Sequence, residues 1–221
     1  MDQPRFAIER GLPERLRDRA AEILDEAFAE KLSPVIPDRD RRLAFLARTI
    51  RARNCITARD GEDLLGLVCL NAPHGEFEGE VLDTSALGIG GWRSMLGTLG
   101  AIRAALMLHT FYSHKAKPDE VYIDFIAVAA AARGRGVGSR LLAEARGAAG
   151  RSGLGFVRLD VVDTNPRAQA LYEREGYRVV REERLGFLGR FTGFSVAYTM
   201  ELPAGPDEAP VSWDGRPNAN R

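Results

Sequence analysis

Apolar positions in the first quarter of the chain recur every three to four residues. Over 13–32, Leu16, Ala20, Ile23, Leu24, Ala27 and Phe28 share one stripe, which predicts an amphipathic helix. Leu43, Leu46, Ala47 and Ile50 predict a second over 39–51. The period then shortens, and 54–58 and 63–70 read as two strands of a hairpin joined around Asp60-Gly61. A glycine-rich, acidic loop covers 71–91, followed by an apolar helix candidate over 92–113. From residue 120 the rhythm is regular. It gives a strand over 121–128, a glycine turn, a helix over 139–149, a strand over 156–162, a helix over 166–175 and a strand over 177–181. A loosely alternating segment over 191–202 closes the series. Strand, helix, strand, helix, strand in that order predicts an α/β sheet with helix crossovers.

Residues 203–221 hold four prolines and few large apolar side chains, so they read as a disordered tail with Trp213 as its one candidate anchor. The expected organisation is one domain over 1–202, carrying an insertion over about 71–117, and that tail. No internal repeat is present.

Composition narrows the classes. The 221 residues are 45% hydrophobic and 28% charged, enough to build one sizeable core. The 31 basic and 31 acidic residues cancel, so no global field draws the chain to nucleic acid or anionic lipid. Residues 1–10 lack the apolar run of a signal peptide, and 95–112 is too polar and too short for a membrane span. The cytoplasm is the expected location. Cys55 and Cys69 have neither CxxC spacing nor a nearby histidine, so buried thiols are expected and no metal site is. His74, His109 and His114 are too scattered for a metal motif.

The candidate chemistry begins where the strand ending Ile126-Ala127-Val128 runs into Arg133-Gly134-Arg135-Gly136-Val137-Gly138 at the head of a helix. Glycines at 134, 136 and 138 remove Cβ atoms from a tight turn and uncover its backbone N–H groups. Those donors, with the positive end of the helix, make an anion site suited to a diphosphate, and Arg133 and Arg135 add charge. No Gly-Lys-Ser/Thr follows, so this is not a Walker loop. An ordinary glycine turn, or an RG patch on nucleic acid, are the rival readings.

Arg-x-x-Gly-x-Gly after a strand ending Ile-Ala-Val resembles the acetyl-CoA signature of the GNAT N-acetyltransferase superfamily. A second block, Asn165-x₅-Leu171-Tyr172-x₃-Gly176-Tyr177, resembles the late strand–helix–strand unit of the same family. The two blocks span about 120–182. The resemblance implies an α/β (α+β by some schemes) fold: a mixed, partly splayed sheet flanked by helices, with a helical insertion before the central strand. It implies acetyl-CoA as acyl donor, no metal, and a small-molecule or protein/peptide amine as acceptor. It also implies a tendency to dimerise, while the balanced charge and the polar 95–112 stretch argue against a nucleic-acid or membrane partner.

It further implies residue roles. Ile126, Ala127 and Val128 would meet the pantetheine arm through their main chain, and Arg133 to Ser139, with Val137 and Gly138 between, would hold the diphosphate. Asn165 before Pro166 is fully explained as a helix cap; the family match adds a hydrogen bond to the pantetheine arm. Tyr172 is either core or, as in similar enzymes, the acid that protonates the leaving thiolate. A general base is needed because an amine acceptor is mostly protonated at neutral pH. Asp124, costly inside an apolar strand unless paired or used, and then Asp160, five residues before Asn165, are the candidates, with water alone as the remaining alternative. Either aspartate has an alternative as a salt-bridge partner of Arg158 or Arg178. Trp92, Phe111 and Tyr112 are candidates to line an acceptor pocket or to be core, and Gly88 to Gly91 reads as a hinge. The acidic residues Glu76, Glu78, Glu80 and Asp83 read as a solvated face or as an attraction for a cationic acceptor. A rival function from another class is a catalytically silent acyl-CoA-binding module with a regulatory or interaction role.

Overall fold

A computed structural model describes residues 6–33, 36–83, 116–185 and 194–204. The helix expected over 92–113, its aromatic residues, the Gly88–Gly91 hinge, His109, His114 and the segment 205–221 with Trp213 lie outside the described residues.

The strands are β1 (Ala7–Arg10), β2 (Cys55–Asp60), β3 (Asp63–Asn71), β4 (Glu120–Val128), β5 (Phe156–Val162), β6 (Arg178–Arg184) and β7 (Val196–Pro203). The helices are α1 (Arg17–Leu32), α2 (Arg39–Thr49), α3 (Val137–Arg151) and α4 (Pro166–Arg174). The strands form one sheet in the order β1-β2-β3-β4-β5-β7-β6. Every neighbouring pair is antiparallel except β4 and β5, which run parallel. This is the mixed α/β sheet that the pattern and the resemblance predict. The four-residue β1 has no counterpart in that reading. β7 extends through Pro203, opposite Phe156, and Ala204 is buried and donates to the Gly155 carbonyl at 2.8 Å.

Helices α1 and α3 cover opposite faces. Phe28 of α1 packs edge-on against Phe125 of β4, with centroids 5.4 Å apart. Three positions on, Val128 pairs with Gly66, where an added Cβ would lie 3.2 Å from Val137 of α3. Side chains an odd number apart on a strand point to opposite faces. The apolar stripe of α3, from Val137 through Leu141, Leu142 and Ala145 to Ala149, is buried. α1 and α2 are joined by the buried pair Asp25–Arg42, with Nε 2.6 Å from Oδ1. The same guanidinium donates to the carbonyls of Ile36 and Pro37 at 3.0 and 2.8 Å. Asp38 caps α2, accepting from the Arg41 amide at 2.9 Å.

Two irregularities of β4 shape the site. Leu70 pairs with Ile123 and Cys69 with Phe125, so Asp124 is passed over as the extra residue of a β-bulge. Bulges re-aim side chains and are enriched beside active sites. On its other edge β4 pairs with β5 only from Glu120↔Phe156 to Ile123↔Leu159. Past that point the two strands part: β5 continues beside β7 through Val162, and β4 continues beside β3 through Val128.

Candidate active site

The parted end of β4 leads straight into the glycine turn. A short 3-10 turn over Ala130–Ala132 separates Val128 from Arg133. Gly134 and Gly136 adopt positive φ of 77° and 78°, where side-chain-bearing residues are strained, and a Cβ at either would project into open space. Gly136 is the N-cap of α3 and supplies no side-chain cap. The first helical bond runs from the Arg140 amide to the Gly136 carbonyl at 3.1 Å. A helix that begins this way leaves the amides of its first three residues, here Val137, Gly138 and Ser139, without intrahelical acceptors. The arrangement suits an anion, with the helix dipole adding to it. Arg133 and Arg135 are exposed and engaged by Glu26 at 3.1 Å and Asp60 at 3.4 Å. Such surface pairs are worth about 0–1 kcal/mol and release their arginines easily.

Gly138 serves a different purpose from its two neighbours. Its φ is ordinary, and an added Cβ would stand 3.1 Å from Leu171 Cδ2 and 3.9 Å from Val128 Cγ2. The missing side chain lets the head of α3, the end of β4 and helix α4 converge. Leu171 therefore helps build the site; its position beside Tyr172 in the second sequence block is the only sign of this in the sequence.

Asn165 is the N-cap of α4, its Oδ1 accepting from the Ala168 amide at 3.2 Å, with Pro166 in the first turn. Tyr172 is 6% exposed on the same helix, its ring 5.9 Å from that of Tyr177. Desolvation pushes its phenol up to about 12, so the hydroxyl keeps its proton over the whole working range. Tyr177 is raised as well, again chiefly by burial, and its hydroxyl is buried without a hydrogen-bond partner.

The candidate bases lie on the two strands that part at the fork. Asp124, half-buried, occupies the bulge; Asp160, exposed, is the first residue of β5 beyond the parallel ladder. Arg158 pairs with Glu120 and Glu201 and with neither aspartate. Among the described residues Arg178 makes no ion pair with either aspartate. Tyr122, which the sequence pattern places simply in the apolar run of β4, is 5% exposed and lies near the Asp160 carboxylate. Burial and then the Asp160 charge hold its phenol far above the ordinary tyrosine value. The aspartate pair, with Tyr122, forms one cluster at the mouth of the fork. The residues from Ile126 to Ser139 form another, joined to α4 through Leu171.

Cys55 and Cys69 are free, buried thiols with sulfurs 3.4 Å apart. The Cys69 thiol is pushed up by its hydrogen bond to Cys55, by burial, and by the charges of Cys55 and Asp124 nearby. His74 is exposed. Of the acidic loop, Glu76 pairs with Arg10 and Asp83 with Arg51. The loop is pinned from beneath by buried Phe77 and by Asn54, whose Nδ2 donates to the carbonyls of Leu70 and Phe77 at 2.9 and 3.0 Å. Among the described residues no helix is long and apolar enough to cross a membrane, and no group of three or more His, Cys, Asp or Glu gathers as metal ligands.

A sheet forked beside an uncapped, glycine-led helix can take an extended ligand that ends in a phosphate. The profile of the acetyltransferase (GNAT) family matches residues 18–177, a stretch that contains both sequence blocks, and the chain belongs to that family. Among solved structures, an N-acetyltransferase from Staphylococcus aureus is 16% identical, covers 89% of this chain and 100% of its own, and superposes with a TM-score of 0.60. The protein yncA from Salmonella typhimurium, solved with its cofactor acetyl-CoA, is 16% identical over 95% of this chain and 99% of its own, with a TM-score of 0.55. The ribosomal-protein-S18-alanine N-acetyltransferase of Escherichia coli is 14% identical over 94% of this chain and 99% of its own, with a TM-score of 0.50. At these identities the likeness is one of fold. No curated protein matches the sequence.

Proposed function

We propose that the protein is an acetyl-CoA-dependent N-acetyltransferase acting on a primary amine by direct attack. The observation that carries this reading is the fork itself: β4 parts from β5 after Ile123 and, with no strand on that edge among the described residues, leads into a glycine turn whose helix-start amides lack intrahelical acceptors. An extended arm lies naturally along Ile126, Ala127 and Val128, and a diphosphate on Arg133, Gly134, Arg135, Gly136, Val137, Gly138 and Ser139. The open space over Gly134 and Gly136 leaves room for phosphate oxygens to reach the amides. Asn165 keeps an amide donor beyond its capping oxygen.

Acetyl-CoA supplies an activated thioester, and the residues manage protons. An ammonium acceptor first loses one proton to Asp124 or Asp160, directly or through water. The amine then forms a C–N bond to the carbonyl carbon while a backbone N–H near Val128 polarises the oxygen. As the C–S bond breaks, the nitrogen loses its second proton and Tyr172 protonates the sulfur. Tyr172 is reprotonated, so one proton in net reaches solvent. A phenol held neutral by burial suits that donor role.

The test is acetyl-CoA consumption against a panel of small amines, lysine peptides and N-terminal peptides, with coenzyme A binding followed by calorimetry. Turnover with at least one amine, lost in Tyr172→Phe while coenzyme A still binds, supports the reading. Binding without turnover by the wild type on any acceptor points to a silent acyl-CoA module. Absence of binding at millimolar coenzyme A refutes the reading entirely.

A further inference from the structure

We propose that Tyr122 is a positioning residue that makes Asp160, in preference to Asp124, the group that takes the acceptor's proton. The inference rests on the amine-acetyltransfer reading above and goes beyond it by choosing between the two carboxylates. Tyr122 stands opposite Arg158 in the parallel ladder, one pair before that ladder ends. Side chains two apart on a strand share a face, so Tyr122, Arg158 and Asp160 point the same way. The phenol reaches forward from the last closed part of the sheet to the first residue of β5 past the fork. Its ring is 5% exposed and cannot swing away, whereas the carboxylate it holds is exposed. A fixed donor on one oxygen sets the direction in which the other faces.

The chemistry of the donor matters as much as its position. An arginine beside Asp160 would hold the carboxylate too, but its positive charge would repel an incoming ammonium and weaken the base. Arg158, on the same face of β5, is occupied by Glu120 on β4 and Glu201 on β7. Across β7 the partner of Asp160 is the uncharged Thr199. Among the described residues, the charged groups that act on the phenol include Glu120, Asp124 and Asp160, and Arg158 stands between two glutamates. The neutral phenol orients Asp160 without adding a positive charge to it, which suits a site that must attract a cation and accept a proton from it. Asp124 sits in the bulge beside buried Cys69. A carboxylate there has less room to meet an acceptor than one on the exposed side.

The experiment compares wild type, Tyr122→Phe, Asp160→Asn and Asp124→Asn with the best amine of the panel over pH 6 to 9. Tyr122→Phe keeps the ring and removes one oxygen. Its kcat/KM for the amine is expected to fall about 10- to 100-fold, with the KM for acetyl-CoA unchanged and the acidic limb of the profile displaced. Asp160→Asn is expected to abolish that limb and Asp124→Asn to keep it. With ¹³C-labelled aspartate, the Asp160 carboxylate signal of the free protein should move between wild type and Tyr122→Phe, a readout independent of turnover. Wild-type turnover with an undiminished Tyr122→Phe rate overturns this inference alone. So does a loss accompanied by weaker coenzyme A binding, which means a structural role, and so does an acidic limb that follows Asp124. A wild type inactive on every amine removes the transferase reading itself and this inference with it.

Discussion

Gly136→Ala offers a sharp test of the donor site, because two separate costs are readable from the structure. Gly136 has a φ of 78°, and a new Cβ would touch nothing within 4 Å. In the free protein the methyl group therefore costs only the left-handed backbone, about 1–2 kcal/mol. For a chain of this size each kcal/mol moves the melting temperature by about 2–4 °C, so a fall of about 2–8 °C is expected. Gly153, just past the other end of α3, has a φ of 69° and equally open space around its Cβ position. Gly153→Ala should melt lower by the same amount and serves as the control. The second cost falls on the ligand. A methyl group over the turn keeps a diphosphate from at least one charge-assisted amide bond worth about 1.5–3 kcal/mol. That is a loss of coenzyme A affinity of roughly 10- to 150-fold. Isothermal calorimetry of wild type and both variants, with melting curves alongside, separates the terms. Wild-type affinity in Gly136→Ala, or equal weakening in Gly153→Ala, would refute the assignment of the turn as a diphosphate cradle.

Tyr172→Phe is expected to lower kcat by about 10²- to 10⁴-fold while leaving coenzyme A affinity unchanged, as measured by steady-state kinetics and calorimetry. Alkali should destabilise the fold. An unfolded tyrosine loses its proton near pH 10, whereas Tyr172 in the fold holds it to about 12. Its contribution is complete below pH 10 and fades by roughly 2–3 kcal/mol as pH rises to 12, so urea midpoints should drop over that window and drop less in Tyr172→Phe. Asp25→Ala strands the buried Arg42 charge at a cost of about 3–5 kcal/mol, a melting shift of about 6–20 °C. Asp25→Ala combined with Arg42→Met should recover most of that loss.

The glycine turn was legible because its residues serve the backbone locally: positive φ at 134 and 136 is a demand that sequence displays. The Asn165-Pro166 helix start was legible for the same reason. Features that depend on distant pairing were not. The bulge at Asp124 exists only in the offset between β3 and β4, and within the sequence Asp124 merely interrupts an apolar run. Tyr122 reads as core until Asp160 is placed beside it. β6 is exposed at every position, and β1 buries no residue fully, so neither edge strand carries the alternation of a half-buried one. That β7 separates β5 from β6 is a fact of topology that no local period records.

That last arrangement bears on how the polypeptide is made. The strand from Val196 to Pro203 is the last among the described residues and lies between two strands completed before it. While a ribosome is still extending the chain, β5 and β6 both lack the strand that, among the described residues, pairs with them on that flank. Open strand edges are templates for pairing with other molecules. Nascent or C-terminally clipped copies should thus be the aggregating species, and a stop codon placed before Val196 should cost solubility far more than loss of so few residues would suggest.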